Sequence, residues 1–432
     1  MTLDLLRFTT AGSVDDGKST LIGRLLYDTK QVFDDQLEHV AEASIRRGGE
    51  GALDLALITD GLRAEREQGI TIDVAYRYFS TVGRQGSPGR RFIIADCPGH
   101  QQYTRNMVTG ASTADLAVVL LDARRGVLEQ SKRHAFISAL LGIPHLVVAV
   151  NKMDLVDYSQ ERFDEIVAEF SQFAGKLGAL GARAELIYIP ISALLGDNVV
   201  DRSENLSWYE GPTLLQLLDT VEVAYDHPFQ TPARFPVQWV IRPQRVNGAQ
   251  DYRGYAGQLA SGALRVGEEI VVLPGGQRTK IAAIDTYDGE LEAALAPMSV
   301  TLRLQDEIDI SRGEMICRPD EAPEPVRELE ADICWMTDRP LASGSRYQLK
   351  HTTRSASAVV DSIVDMVDVH TLQRGPAPQQ LVLNDIGRVR LRTSVPLLVD
   401  PYLRNRRTGS FILIDEATNG TVGAGMICAP DA

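Results

Sequence analysis

Short apolar, β-branched runs recur through the first half of the chain: Arg91–Ala95, Ala117–Leu121, Leu146–Val150 and Leu186–Ile191. Each stops directly at a polar or glycine-rich cluster, and helical stretches separate them. This alternation predicts a mostly parallel sheet covered by helices. Ligands in such sheets collect just beyond the carboxyl ends of the strands, so the clusters are candidate sites. Near residue 222 the pattern changes. Residues 224–236 lose periodicity and contain Pro228, Pro232 and Pro236, which predicts a linker. Short alternating strands with glycine turns follow, at Val237–Ile241, Gly254–Leu259 and Glu269–Leu273, the pattern of an antiparallel barrel. A second Pro- and acid-rich link, Asp320–Glu324, leads into another β-rich block. The two blocks close on similar phrases, Gly313-Glu314-Met315-Ile316-Cys317 and Gly425-Met426-Ile427-Cys428. The expected domains are 1–223, a linker at 224–236, and two small barrels at 237–320 and 326–432.

Composition narrows the class. With 432 residues the chain is too long for one ordinary core, and two to four domains are expected. No apolar run approaches the roughly 20 residues of a membrane-spanning helix. The start, Met1 to Leu6, lacks the basic and apolar segments of a signal peptide. Cys97, Cys317, Cys334 and Cys428 are scattered, with no CxxC, and read as reduced thiols of a cytoplasmic protein. The net charge of −14 argues against a protein that chiefly neutralises nucleic-acid phosphates. Neither nucleic acid nor membrane is expected as a partner. Trp208, Trp239 and Trp335 read as core or interface anchors.

The chemistry sits in the clusters. Gly12-Ser13-Val14-Asp15-Asp16-Gly17-Lys18-Ser19 fits GxxxxGK[ST] and opens a helical stretch, Leu21–Leu26. Such glycines let backbone N–H groups face phosphate oxygens at a helix N-terminus. Lys18 would reach the β- and γ-phosphates, with Thr20 just beyond, and the Ser19 hydroxyl would ligate Mg²⁺. Asp96-Cys97-Pro98-Gly99 follows a strand. Asp96 is placed to hold Mg²⁺ through water, and the Gly99 amide to sense the γ-phosphate. Asn151-Lys152-Met153-Asp154 follows another strand. A carboxylate there accepts two hydrogen bonds from guanine and none from adenine, which selects GTP over ATP. An amide of Ser192-Ala193-Leu194 would contact guanine O6. Thr71 would join Mg²⁺ only while a γ-phosphate is present, an order–disorder switch. His100 stands where a side chain could orient the attacking water, which with Lys18 and Gly99 completes the catalytic set. GTP or GDP and Mg²⁺ are the cofactors expected.

These motifs, with Gly69–Ile72 and two barrels behind them, resemble the elongation factor Tu family of translational GTPases over nearly the whole chain. Ser261-Gly262-Ala263-Leu264-Arg265-Val266-Gly267-Glu268-Glu269 is similar to the turn and strand of the factor-type barrel. Translation factors usually carry histidine where this chain has Asp16. With Thr20 to Asp28 and Arg66 to Tyr76, that departure resembles the large, GTPase subunit of bacterial ATP sulfurylase. The resemblance implies a heterodimer. A small partner would make adenylyl sulfate and pyrophosphate from ATP and sulfate, and GTP hydrolysis here would drive the reaction. The chain has no SGGxDS or HxGH motif for the ATP chemistry. Some relatives carry a fused adenylyl-sulfate kinase; with no second GxxxxGK[ST], none is expected. Asp16 reads either as a solvated side chain or as a charge that tempers GTP hydrolysis until the partner docks. Residues 28–62, including Arg46-Arg47-Gly48-Gly49, are expected to be disordered or to touch a partner. A translation factor delivering aminoacyl-tRNA is the alternative.

Overall fold

The structure is a computed structural model. It describes residues 4–32, 40, 54–58, 73–81, 89–100, 103–176, 184–223, 230–242, 252–368, 371 and 373–429. Thr71 and most of 28–62 lie outside the described residues. The chain divides near residue 224 into two compact units, taken here in turn.

The first unit is built on strands β1 (Asp4–Gly12), β2 (Ala75–Ser80), β3 (Arg90–Asp96), β4 (Leu116–Asp122), β5 (His145–Asn151) and β6 (Glu185–Pro190). Their order is β2-β3-β1-β4-β5-β6, and only β2 runs antiparallel to its neighbour. Strand β4 is buried at every position, as expected of a continuous apolar run in a parallel sheet covered on both faces. Strand β2 escapes the hydrophobic pattern because it is an edge strand. Tyr76 and Tyr78 stay exposed, and Phe79 alone is buried, stacked on Phe92 at 4.4 Å. The pairings align the strand ends: Thr10 lies opposite Asp96, and Asp122 opposite Asn151. Every polar cluster of the sequence therefore reaches the same edge of one sheet.

The second unit contains two closed, six-stranded antiparallel barrels. In the first, Glu269–Leu273 pairs with both Gln277–Thr286 and Met315–Cys317, which seals the ring; Phe235–Ile241, Gly254–Gln258 and Ser299–Leu304 complete it. In the second, Arg346–His351 pairs with both Arg354–Val367 and Ser410–Ile414; Pro325–Trp335, Ile386–Leu398 and Thr421–Ile427 complete it. Met315–Cys317 and Thr421–Ile427 each close their barrel against its first strand. The matching phrases of the sequence thus occupy equivalent places. Closure pairs each of the six ring strands on both sides.

One expectation needs correction. Residues 233–236, read above as linker, belong to the first barrel. Ala233 and Phe235 are fully buried in its core, and Phe235 opens a strand. Proline suggests a break, yet it is tolerated at strand starts. Pro232 accepts the Ser261 hydroxyl at 2.7 Å, and Pro236 pairs with Met315. Among the tryptophans, Trp335 is a core residue against Tyr347, but Trp239 is 65% exposed. It lines an open groove of about 520 Å³ with Tyr252, Asp285, Tyr287 and Arg312.

Candidate functional site

Strand β1 ends at Gly12, and the helix Lys18–Asp28 begins six residues later. Between them the loop turns on Gly17, whose φ of +94° lies in the left-handed region that favours glycine. A Cβ at Gly17 would strike the Asn151 side-chain amide. No acidic side chain occupies the first turn of the helix, so its amides face an anion unopposed from within that turn. Lys18 is buried and folded over the loop, donating to the carbonyls of Gly12 (3.1 Å) and Ser13 (2.8 Å). Burial pushes its pKa down, against the pull of Asp96 and Asp16. Gly99 packs on this ammonium: a Cβ there would lie 2.5 Å from Lys18 Nζ and 2.8 Å from the Gly12 carbonyl. The close approach allows no side chain at 99.

Asp96 is buried at the end of β3 and accepts the Thr10 hydroxyl at 3.1 Å. Ser19 sits half-buried in the first helical turn. The neighbouring Cys97 is structural. Burial pushes its thiol up to about 12, so it stays protonated beside the Thr9 hydroxyl. His100 follows, half-buried, with its ring edge toward Tyr103 at 6.2 Å.

On the other side, Asn151 is a cross-brace. Its Nδ2 donates to the Asp16 carbonyl (2.8 Å), and its Oδ1 accepts the Ala193 amide (2.9 Å). Lys152, at φ +64°, reaches the Asp15 carbonyl (2.5 Å) and Asp122 (2.9 Å). Burial opposes ionisation of Asp122, but hydrogen bonds from Arg124 and Lys152 outweigh it and hold its carboxyl well below the usual range. One oxygen of Asp154, Oδ1, is buried with no hydrogen-bond partner. The amides of Ser192 and Ala193 are both committed within the protein, to Asp197 and Asn151. Of the three amides expected near the base, Leu194 is the one left to serve. Arg24 holds that turn through the carbonyls of Ala193 and Leu194.

Sequence reasoning missed three features. His134 lies buried on the helix Glu129–Leu140 and accepts the Gly12 amide on Nδ1 at 2.9 Å. Burial lowers its pKa to about 3, so it is neutral, with Nδ1 free to accept the Gly12 amide. Asp122 anchors Lys152. Asp16, expected as solvated on one reading, is 1% exposed. Its carboxylate turns into the loop and accepts the Ser13 amide at 2.7 Å, while Oδ1 is buried without a partner.

Residues 3–225 match the model described as the elongation factor Tu GTP binding domain, and residues 328–428 the GTP-eEF1A C-terminal domain-like model. The chain is 53% identical over 425 residues to the sulfate adenylyltransferase subunit 1 of Bacteroides fragilis, covering 98% of this chain and 86% of that one. Its counterpart in Bacteroides thetaiotaomicron is 53% identical with the same coverage. The bifunctional enzyme CysN/CysC of Mycobacterium tuberculosis is 57% identical over 424 residues, 98% of this chain and 67% of its own length. The chain belongs to the sulfate adenylyltransferase subunit 1 family. Its N-terminal unit is thus a GTP-binding domain of the elongation factor Tu type.

The residues present fit the ligands this family implies. A guanine base offers two N–H donors, and Asp154 holds a buried acceptor without a partner. Asp96 and Ser19 supply the hard oxygen donors that Mg²⁺ takes alongside phosphates. Lys18 and the amides at the helix start supply the positive field for the phosphates.

Proposed function

We propose that this chain hydrolyses GTP to drive the formation of adenylyl sulfate and pyrophosphate from ATP and sulfate on a small partner subunit, with which it forms a heterodimer. One observation carries the GTPase reading. Lys18, Asp96, Asn151 and Asp154, from three separate stretches of sequence, meet at the same strand edge, and Asp154 keeps an unpartnered acceptor. The sulfate reading rests on the likeness to chains named sulfate adenylyltransferase subunit 1.

Each residue then has a task. The loop Gly12, Asp15, Gly17, Lys18, Ser19 and Thr20 wraps the phosphates, and Lys18 neutralises charge on the β- and γ-groups. Ser19 directly and Asp96 through water would hold Mg²⁺, with Thr71 joining while a γ-phosphate is present. When bound, Mg²⁺ would offset the negative charge that builds during transfer. Asp154 pairs with the guanine edge, Leu194 offers its amide to O6, and Asn151 and Lys152 keep this edge against the loop. Gly99 senses the γ-phosphate. His100 orients the attacking water; positioning supplies most of what phosphoryl transfer needs from a protein.

Among the described residues no helix is long and apolar enough to cross a membrane. A cytoplasmic place fits a pair of subunits that consumes GTP and ATP. The deciding experiment measures adenylyl sulfate formation by the reconstituted pair with and without GTP. The expected result is a GTP-dependent rise in yield that Lys18→Ala abolishes. Product formation indifferent to GTP overturns the coupling, and co-purified tRNA in place of a small protein partner overturns the sulfate reading.

A further inference from the structure

Asp16 is a poor choice of side chain for a phosphate site, and its placement makes the choice consequential. The residue sits within the loop that is to hold a polyanion, and its carboxylate is sealed from solvent. One oxygen holds the Ser13 amide; the other has no partner. The Asp16 carbonyl is fixed by Asn151, so the backbone cannot swing outward without breaking the brace to Asn151, and the Ser13 amide holds the side chain inward. Burial raises the pKa of this carboxyl, while the Ser13 amide and then Lys18 pull it back down. The loop from Gly12 to Ser19 is short. A phosphate seated on it would lie close to this carboxylate, and buried charges are little screened by salt.

We propose that the buried carboxylate of Asp16 weakens the grip of the phosphate loop on guanine nucleotides and thereby speeds GDP release, a built-in exchange device. This inference rests on the GTPase reading above. The Lys18 ammonium is bonded to the Gly12 and Ser13 carbonyls, and the nearby Asp16 charge offsets part of the field it can offer a phosphate. The Ser13 amide, bonded to Asp16, likewise has less to give a phosphate. A chain built this way turns over its nucleotide without a separate factor prising the loop open.

The test uses the full chain with Mg²⁺ and a fluorescent GDP analogue, chased by excess GDP. Asp16→Asn keeps an acceptor for the Ser13 amide and removes the charge. Release from it is expected to slow about tenfold, the effect of removing one like charge at this range in a partly polar interior. The slowing should persist in about 0.5 M KCl, because the charge is buried. Asp16→Ser, also neutral and smaller, guards against a misfolded asparagine variant and should slow release too. Release as fast as, or faster than, wild type in the folded variants overturns the proposal. Wild-type protein that takes up no guanine analogue overturns the GTPase reading itself, a separate and recognisable failure.

Discussion

Buried carboxylates meet opposite fates in the two units. In the barrels, Asp400 is 5% exposed and saturated: Arg234 grips both its oxygens at 3.0 Å, and the Thr408 hydroxyl adds a third bond at 2.6 Å. Asp332 is held by Arg388 and Arg374. In the nucleotide unit, Asp16 and Asp154 each keep one buried oxygen unmatched, and among the described residues they are the only carboxylates that do. A buried acceptor without a donor costs about 1–3 kcal/mol. Both unmatched carboxylate oxygens lie at one strand edge and none in either barrel, where the unmatched acceptors include the uncharged Thr353 Oγ1, so the charged pair calls for a reason that packing does not supply. On the reading proposed above, the reason at Asp154 is a base that brings its own donors, and at Asp16 a charge whose effect is felt only when phosphate arrives. The paired carboxylates of the barrels serve the fold.

The contrast breaks first, if it breaks, at Asp400. Asp400→Ala leaves Arg234, itself 3% exposed, as a buried charge with no counter-ion. Removing one member of such a pair is expected to cost about 3–5 kcal/mol of stability. The loss should appear in chemical denaturation, while guanine nucleotide affinity of the folded protein stays put. A cost below about 1 kcal/mol would mean the pair is ornamental, and the division between structural and ligand-directed carboxylates would go with it.

Asp154→Asn tests the other side. Neutralising an acceptor that meets two N–H donors should weaken GDP binding about 100-fold. It should leave stability without nucleotide unchanged or slightly raised, since the orphaned oxygen is relieved. An asparagine can donate where aspartate cannot, so xanthosine nucleotides, which carry a carbonyl in place of the guanine amine, should gain affinity over wild type. Titrations with both bases decide it. Equal guanine affinity in variant and wild type would remove Asp154 from base reading.

Much of this contrast is legible in the sequence, for a physical reason. The glycines and the charged residues of the loop, Asp96, and Asn151 to Asp154 stand directly after apolar runs, and a parallel sheet must bring such ends together. The barrel order follows from alternation and turn residues. What the sequence hides is long-range pairing. His134 acts on Gly12 across 122 positions, and a lone helical histidine carries no local mark of that role. Asn151 has a second task as a brace, visible only once Asp16 and Ala193 flank it. The linker boundary misled because three prolines outweigh two buried side chains in any local reading, while Ala233 and Phe235 are buried by strands from 20 to 80 residues away. The burial of Asp16 is of the same kind, since charge and position both suggest water.

The smallest expected effect sharpens the comparison by its size. On the outer face of the second barrel, Arg392 meets Asp361 at 3.0 Å, but its side chain is 60% exposed. This pair resembles Arg234 with Asp400 in chemistry and distance and differs in solvent. Exposed pairs gain little, because water screens them and two long side chains lose freedom in forming them. Arg392→Ala should therefore cost no more than about 0.5 kcal/mol, and that small loss should fade in high salt. Denaturation midpoints at two salt concentrations measure it. A cost near that of Asp400→Ala would show that pairing by itself, irrespective of burial, holds the barrels. The unmatched oxygens of Asp16 and Asp154 would then lose the burial argument that makes them informative.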